Sequence, residues 1–204
     1  LNNLSTVQIK KGLLDVAEKN LVRSMAISKE YSNDNSVFIS AMSNLASIYT
    51  SIGRYKAAEQ LYFNILNISL RLGNNSGSKL AALYNNIAVV LKKQCKYNEA
   101  IEYINMSLNI WRDKKDIDIL NYSSTLHNFG ELNKAIGKYD LALDNFIYSI
   151  EILENNNANH IDQYLLQSYS LINLYRQLDE LDKVNKVLNK INVIRKENNK
   201  NVIT

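Results

Sequence analysis

This chain of 204 residues contains no proline and only six glycines. All-β folds depend on these two residues at their turns, so their scarcity favours long helices. The chain also has a single cysteine, Cys95, which excludes an internal disulfide. Because secreted chains more often carry paired cysteines, the sequence predicts a reducing, cytoplasmic setting.

Long apolar runs and a visible secretory signal are missing as well. No stretch approaches the roughly 18 apolar residues that span a bilayer. The start at Leu1 has no charged segment ahead of an apolar one. Apolar residues still make up 46% of the chain, which is enough for a packed core. We therefore expect neither a membrane protein nor a disordered chain.

The net positive charge comes entirely from the last 24 residues. The net charge is +4, residues 1–180 are neutral, and residues 181–204 carry the whole excess. Binding to nucleic acid needs basic charge spread along a face, so no nucleic-acid partner is expected. The apolar stripe of this last segment could lie on a membrane surface, but a packing face in a helical array is the favoured interpretation.

The sequence repeats itself with a period of 42 residues. An asparagine, an apolar residue and a small residue recur at Asn44-Leu45-Ala46, Asn86-Ile87-Ala88 and Asn128-Phe129-Gly130. Alanine followed by a large side chain recurs at Ala58 and Tyr62, at Ala100 and Ile104, and at Ala142 and Phe146. A degraded copy contains Leu171-Ile172 and Tyr175, and a partial copy begins at Asn3-Leu4-Ser5.

These residues resemble the tetratricopeptide repeat (TPR), in which a small residue of the first helix and an alanine of the second let the two helices approach closely. Two features differ from the family pattern. The proline near the end of the second helix is absent, and the period is 42 residues instead of about 34. The additional length amounts to about two helical turns. This long form is similar to the repeats of kinesin light chains, especially at Tyr84–Leu91.

The resemblance implies an all-α fold, a right-handed superhelix (α-solenoid) of antiparallel helix pairs. Turn and capping residues predict helices over 14–31, 36–52, 55–72, 78–94, 97–113, 117–136, 139–155, 160–178 and 181–197. The predicted domain is one array of a partial repeat (1–34), four repeats (35–76, 77–116, 117–159 and 160–197) and a polar tail (198–204). Cys95 stands where other repeats have Gly53 and Gly137, which predicts a turn position.

Neither end of the array has a polar capping helix in the sequence, and repeat arrays need polar ends. The expectation is a fragment of a longer protein. The alternative is end-to-end self-association through the terminal helices.

Ligands of TPR proteins usually lie in the concave groove lined by the first helix of each pair. In kinesin light chains and bacterial peptide-pheromone receptors, groove asparagines hold a peptide backbone, and the resemblance implies this role here. Cations at one height of the groove would favour an acidic peptide. The predicted groove residues are Asn44, Asn85, Asn86, Asn128, Asn173, Lys92, Lys134 and Arg176. Because the chain has 30 asparagines, the same slot could instead serve capping or bonds between hairpins.

No catalytic constellation accompanies the repeat. His127 and His160 have no cysteine or histidine at metal-binding spacing, and no phosphate-binding glycine loop is present. We expect neither an enzyme nor a metal or other cofactor. The predicted function is a scaffold or adaptor that holds an extended, acidic segment of a partner protein. The alternatives are a peptide-responsive regulator of the pheromone-receptor type and a self-association module.

Overall fold

A computed structural model describes residues 4, 5, 8, 12–31, 35–73, 77–112, 118–155 and 160–201. Within these ranges the chain forms nine α-helices and no β-strand. The helices are α1 (Leu14–Tyr31), α2 (Asn35–Ser51), α3 (Tyr55–Arg71), α4 (Ser78–Lys93), α5 (Tyr97–Arg112), α6 (Ile119–Ala135), α7 (Tyr139–Asn155), α8 (Ile161–Gln177) and α9 (Leu181–Asn201). We call α2, α4, α6 and α8 the first helices, and α3, α5, α7 and α9 the second helices.

The chain divides into two compact units, Leu1–Ile110 (unit 1) and Trp111–Thr204 (unit 2). In unit 1, α1 packs on α2, α2 on α3 and α3 on α4. The core between α1 and α2 consists of buried aliphatic side chains one helical turn apart: Ala17, Leu21, Ala41, Leu45 and Ile48. These residues recur at spacings of three and four, which places them on one stripe of each helix.

In unit 2, α6 packs on α7, α7 on α8 and α8 on α9. Its core contains the fully buried Phe146 of α7 together with Ile172 and Leu174 of α8 and Ile191 of α9. The chain's single tryptophan, Trp111, is also fully buried, and its indole Nε1 donates to Thr125 Oγ1 at 3.2 Å.

Small residues bring the two helices together in the first three pairs, as predicted, whereas the fourth pair has Ile172 and Val184 at these positions. Ala46 and Ala88 are buried on first helices. Gly130 takes the same slot in α6, where a Cβ would lie 2.6 Å from Cδ1 and Cε1 of Phe146. The spacing in this third pair therefore leaves no room for a methyl group. The facing alanines of the second helices, Ala58, Ala100 and Ala142, are all fully buried.

The turns inside the pairs share one backbone conformation. Gly53, Cys95, Gly137 and Asp179 follow one another at intervals of 42 residues, and all four have positive φ, between 60° and 81°. L-residues with a side chain rarely adopt this region, so glycine suits the position and cysteine or aspartate is tolerated there. The prediction that Cys95 fills a turn is confirmed.

One predicted boundary is wrong. The last helix was expected to end near residue 197 and to be followed by a polar tail, but α9 continues to Asn201. The segment that follows Arg195 contains neither glycine nor proline, so nothing in it breaks the helix. The other eight helices begin and end within two residues of the predicted positions.

Candidate functional site

Each first helix has one face directed away from the core, which we call its open face. In α2, Ser40, Ser47 and Ser51 are exposed and Asn44 is half-buried, whereas Leu45 on the opposite side is 4% exposed. In α4 the open face carries Asn86, Val89 and Lys92, all half-buried. The neighbouring Asn85 is only 9% exposed, so little of its side chain can reach a ligand.

The open faces of unit 2 follow the same spacing. In α6 the half-buried residues are Ser124, His127, Asn128, Glu131 and Lys134. In α8 the corresponding face is exposed along its whole length. It carries Leu166, Tyr169, Asn173, Arg176 and Gln177.

Asparagine occupies the same repeat position in three of the four first helices. Asn44 and Asn86 lie on the open faces of unit 1, and Asn128 lies on that of α6 in unit 2. Asn44 and Asn128 also interact with other groups of the chain. Asn3, which begins the partial copy of the repeat, lies outside the described residues.

The fourth first helix replaces this asparagine with Ser170, whose Oγ lies 2.9 Å from His127 Nε2 of α6. At this repeat position the side chain therefore forms a hydrogen bond between consecutive first helices. Bonds between hairpins are the alternative role that the sequence left open for this position.

Two further hydrogen bonds join the same two first helices of unit 2. The amide nitrogen Nε2 of Gln167 donates to Ser123 Oγ at 2.7 Å, and both residues are fully buried. Gln163 Nε2 donates to Ser124 Oγ at 3.1 Å. These polar contacts were not predicted. The sequence contained one signal for these contacts, which is that Gln167 lies on the buried side of a helix. A buried amide requires hydrogen-bond partners.

Consecutive repeats of unit 1 are joined by a different kind of contact. A carboxylate of one repeat forms an ion pair with a basic residue in the turn of the next repeat. Glu18 accepts a 2.8 Å hydrogen bond from the Tyr49 hydroxyl, and its Oε1 lies 3.5 Å from Arg54 Nη1. Glu59 Oε1 accepts from Lys96 Nζ at 2.7 Å, and Oε2 accepts from Gln94 Nε2 at 2.8 Å.

The pKa of Glu59 is set by two opposing effects. Partial burial favours the neutral acid and by itself would raise the pKa. The hydrogen bonds from Lys96 and Gln94, with the positive charge of Lys96, outweigh burial and lower the pKa below its ordinary value. Glu59 is therefore held as a carboxylate in the folded chain.

Charge also differs between the open faces of the two units. Helix α2 has no charged residue, and α4 has only Lys79, Lys92 and Lys93, so the first helices of unit 1 carry no carboxylate. In unit 2 the two cations are accompanied by acids, Lys134 by Glu131 on α6 and Arg176 by Asp162 on α8. Thr50, which precedes the cations in the 42-residue spacing, donates to the Ala46 carbonyl oxygen at 2.8 Å.

Family models for the tetratricopeptide repeat match residues 41–76 and 79–155, together more than half of the chain. The chain belongs to the TPR family. A sequence comparison with curated proteins finds no relative.

Solved structures reproduce the TPR-like α-solenoid fold. BtubC (BKLC) from P. vanneervenii is 22% identical, with a TM-score of 0.77 over 96% of this chain and 78% of that one. Nearly identical TPR-like repeats from Podosopora anserina, which carry the name kinesin light chain, are 15% identical, with a TM-score of 0.70 over 97% of this chain and 94% of that one.

A third similar structure is a Rap protein complexed with Competence and Sporulation Factor. It is 17% identical, with a TM-score of 0.81 over 92% of this chain and 50% of that one. At these identities the likeness concerns the fold alone.

In the described part of this TPR chain, no three metal-ligating side chains form a group that could hold an ion. Among the same residues, no helix is long and apolar enough to cross a membrane. His160 occupies the position before α8 without a side-chain cap, and His127 is engaged with Ser170 as described.

Proposed function

We propose that the open faces of the first helices hold an extended, acidic segment of a partner protein, so that this TPR chain acts as a scaffold or adaptor. The observation that carries the proposal is the chemistry of these faces in unit 1. They combine half-buried asparagines with lysines and contain no carboxylate. TPR proteins in general serve protein interactions, and the proposal specifies the chemistry of the segment that is bound.

The asparagines supply the part of the interaction that is independent of sequence. A side-chain amide presents both a donor and an acceptor, which matches the N–H and C=O of a peptide unit. Asn44, Asn86 and Asn128 are each partly accessible at the same repeat position. Asn86 is the stronger candidate on α4, because Asn85 is nearly buried.

The cations supply the preference for acidic partners. Lys92 and Lys134 are half-buried and Arg176 is exposed, and all three occupy one repeat position near the end of their helices. A positive face, which here is that of α4, raises the encounter rate with an acidic segment and disfavours basic ones. A single short segment on such an open surface would bind with a Kd on the order of micromolar.

The proposal includes no catalytic role and no cofactor, and it assigns the 2.9 Å contact of Ser170 Oγ with His127 Nε2 to the joint between α6 and α8. A reducing, cytoplasmic compartment belongs to the proposal because the sequence has a single cysteine, which forms no internal pair.

Substitution of the asparagines tests the proposal. Asn86→Ala/Asn128→Ala should lose partner proteins that the intact chain captures from a lysate of its source cells, as identified by mass spectrometry. The matched control is Asn64→Ala/Asn105→Ala, which removes two exposed asparagines from second helices. If the first double variant remains folded and keeps every partner, the asparagines do not bind the segment.

Charge reversal tests the preference for acidic partners. Lys92→Glu/Lys134→Glu should weaken capture and reduce its dependence on salt, whereas Lys56→Glu on the second helix α3 should not. Equal capture by all three chains at low and at high salt would contradict the acidic preference.

A second candidate is a peptide-responsive regulator. The likeness to a Rap protein in complex with Competence and Sporulation Factor favours it, because that structure pairs this fold with a bound factor. A regulator should change its hydrodynamic radius when a captured segment binds, and a scaffold should not. Self-association through the terminal helices is tested in the same solutions, because light scattering of a concentration-independent monomer would exclude it.

A further inference from the structure

Two large side chains stand out on the open face of α8. Leu166 is 56% exposed and Tyr169 is 40% exposed. They are one helical turn apart, and Asn173 and Arg176 continue the same face at the following turns. The third repeat has Ser124 and His127 at the equivalent positions, 42 residues earlier. The fourth repeat therefore exposes apolar surface where the third has polar side chains.

The repeat register identifies which side of α8 these residues occupy. Ser124 and His127 of α6 bond to Gln163 and Ser170 of α8, so they face the next first helix. Leu166 and Tyr169 consequently lie on the side of α8 that faces away from α6. In a longer array this is the side where another first helix would pack.

The chemistry of α9 argues against another helix pair on this side. Ile150 and Leu153 of α7 are buried in the core that α7 shares with α8. Their equivalents on α9 are Asn192 and Arg195, and both are exposed. A stacked pair would bury an amide and a guanidinium there, which is costly without matched partners. Further chain could follow Thr204 without stacking on this face, and a second copy that stacked in the same way would meet the same two polar side chains.

We propose that Leu166 and Tyr169 receive one bulky apolar side chain of the acidic partner segment. This inference rests on the proposed function and adds an anchor residue to it. Arg195 Nη2 donates to the Tyr169 hydroxyl at 3.1 Å, so the ring is held in place before binding and little conformational freedom is lost. Arg195 beside the ring and Arg176 two turns further along α8 place cations on the Tyr169 side of the anchor. Asp162 lies one turn before Leu166, so acidic residues of the segment are expected on the Tyr169 side.

The test uses a displayed library of random peptides, selected on the intact chain. The strongest selected peptide is synthesised with a fluorescent label, and its affinity is measured by anisotropy. Leu166→Ser/Tyr169→His installs the residues of the third repeat. The matched control is Leu141→Ser/Tyr148→His, because these two residues of the second helix α7 are 48% and 47% exposed.

The expected result is a selected peptide that combines acidic residues with one large apolar residue. Its affinity should fall about tenfold with Leu166→Ser/Tyr169→His, in keeping with the loss of one buried apolar contact, and should stay unchanged with the control. Replacing the apolar residue of the peptide by alanine should weaken binding by a similar factor. The two changes together should cost little more than either one alone.

Three results would overturn the inference, and they separate it from the proposed function. If Asn86→Ala/Asn128→Ala weakens binding but Leu166→Ser/Tyr169→His does not, the anchor is wrong and the proposed function stands. If neither variant matters, or no peptide is selected, both are wrong. If the intact chain associates with itself and Leu166→Ser/Tyr169→His abolishes the association, another copy covers this face instead of a partner segment.

Discussion

The two units of this chain build the same helix pairs but connect their first helices to the neighbouring repeat with different chemistry, although unit 2 also has an ion pair between its second helices, where Lys190 Nζ lies 2.6 Å from Glu154 Oε2. In unit 1 the joints are ion pairs at the turns, Glu18 with Arg54 and Glu59 with Lys96. In unit 2 the first helices α6 and α8 are joined by neutral hydrogen bonds, including the fully buried pair of Ser123 and Gln167. The repeat thus fixes the backbone arrangement and leaves the chemistry of the joint free to vary.

The difference has a physical consequence. Partly exposed ion pairs are screened by salt and contribute little. A buried neutral hydrogen bond is insensitive to salt, and the loss of one partner leaves the other unsatisfied. The Glu18 and Glu59 contacts of unit 1 should therefore respond to salt and pH, and the contact between Ser123 and Gln167 in unit 2 should respond mainly to mutation.

The largest contrast concerns the small residue of the first helix. Gly130→Ala in unit 2 places a methyl group 2.6 Å from the Phe146 ring, and overpacking of this kind should lower the free energy of unfolding by about 1–3 kcal/mol. Urea unfolding followed by the fluorescence of the buried Trp111 measures the loss in unit 2. The reverse change in unit 1, Ala88→Gly, should cost only about 1 kcal/mol through backbone entropy. Equal stability of Gly130→Ala and the parent chain would contradict the close approach.

The buried amide of unit 2 should have the next largest effect. Gln167→Ala removes this partner of Ser123, whose hydroxyl still donates to the Ser149 carbonyl oxygen at 3.0 Å, so the free energy of unfolding should fall by about 1 kcal/mol. The loss should be the same at low and high salt. The matched control is Gln163→Ala, whose hydrogen bond to Ser124 is only partly buried and should matter less. A loss that disappears in high salt would show that the joint is not neutral.

The ion pair of unit 1 should respond more weakly to substitution. Glu59→Gln removes the negative charge that pairs with Lys96. The free energy of unfolding of unit 1 should therefore fall, but by less than Gln167→Ala lowers that of unit 2. Hydrogen exchange of the α3 and α4 amides can follow unit 1 separately. The difference between Glu59→Gln and the parent chain should shrink as salt is added. A difference that is constant or grows would contradict a screened ion pair.

The stability of unit 1 should also depend on pH, because it depends on the charge of Glu59. The folded pKa of Glu59 lies below its ordinary value of 4.5, so its contribution is complete above that pH and is lost as the pH falls towards the folded pKa. In this acidic range, hydrogen exchange of the α4 amides should accelerate by more than the pH dependence of the intrinsic exchange rate accounts for. The Glu59→Gln variant should show a smaller acceleration. If both chains respond alike, the lowered pKa does not stabilise unit 1.

The smallest effect is expected at the turns. Cys95 of unit 1 has a φ of 60°, where a side chain is strained, so Cys95→Gly should stabilise unit 1 by a few tenths of a kcal/mol, up to about 1. In unit 2 the reverse change, Gly137→Cys, should destabilise by a similar amount. Thermal unfolding by circular dichroism, under reducing conditions, can compare the pair. A stabilising Gly137→Cys would show that the turn does not constrain these residues.

Much of this fold is predictable from the sequence because it depends on local signals. The helix bounds follow from turn residues, and the close approach of the helices follows from the recurring Ala46, Ala88 and Gly130. The positive φ of Cys95 follows from its repeat equivalence with Gly53 and Gly137. Each of these features is set within one helix pair.

The chemistry between pairs was less predictable. The bond of His127 to Ser170, the burial of Gln167 and the near-complete burial of Asn85 depend on how neighbouring helices are rotated about their axes. A repeat period alone does not give that rotation to within one residue. The sequence identified the open faces but did not separate Asn85 from Asn86, which lie on adjacent positions of α4 and differ in exposure.

The proposed function requires partner segments to bind to the first helices and not to the second helices. Side-chain amide signals in a nitrogen-15 NMR titration test it directly, with a selected acidic peptide added to the labelled chain. The signals of Asn86 and Asn128 should shift and saturate together, and those of Asn64 and Asn105 should stay in place. A peptide that shifts Asn64 and Asn105 but leaves Asn86 and Asn128 unchanged would contradict the claim.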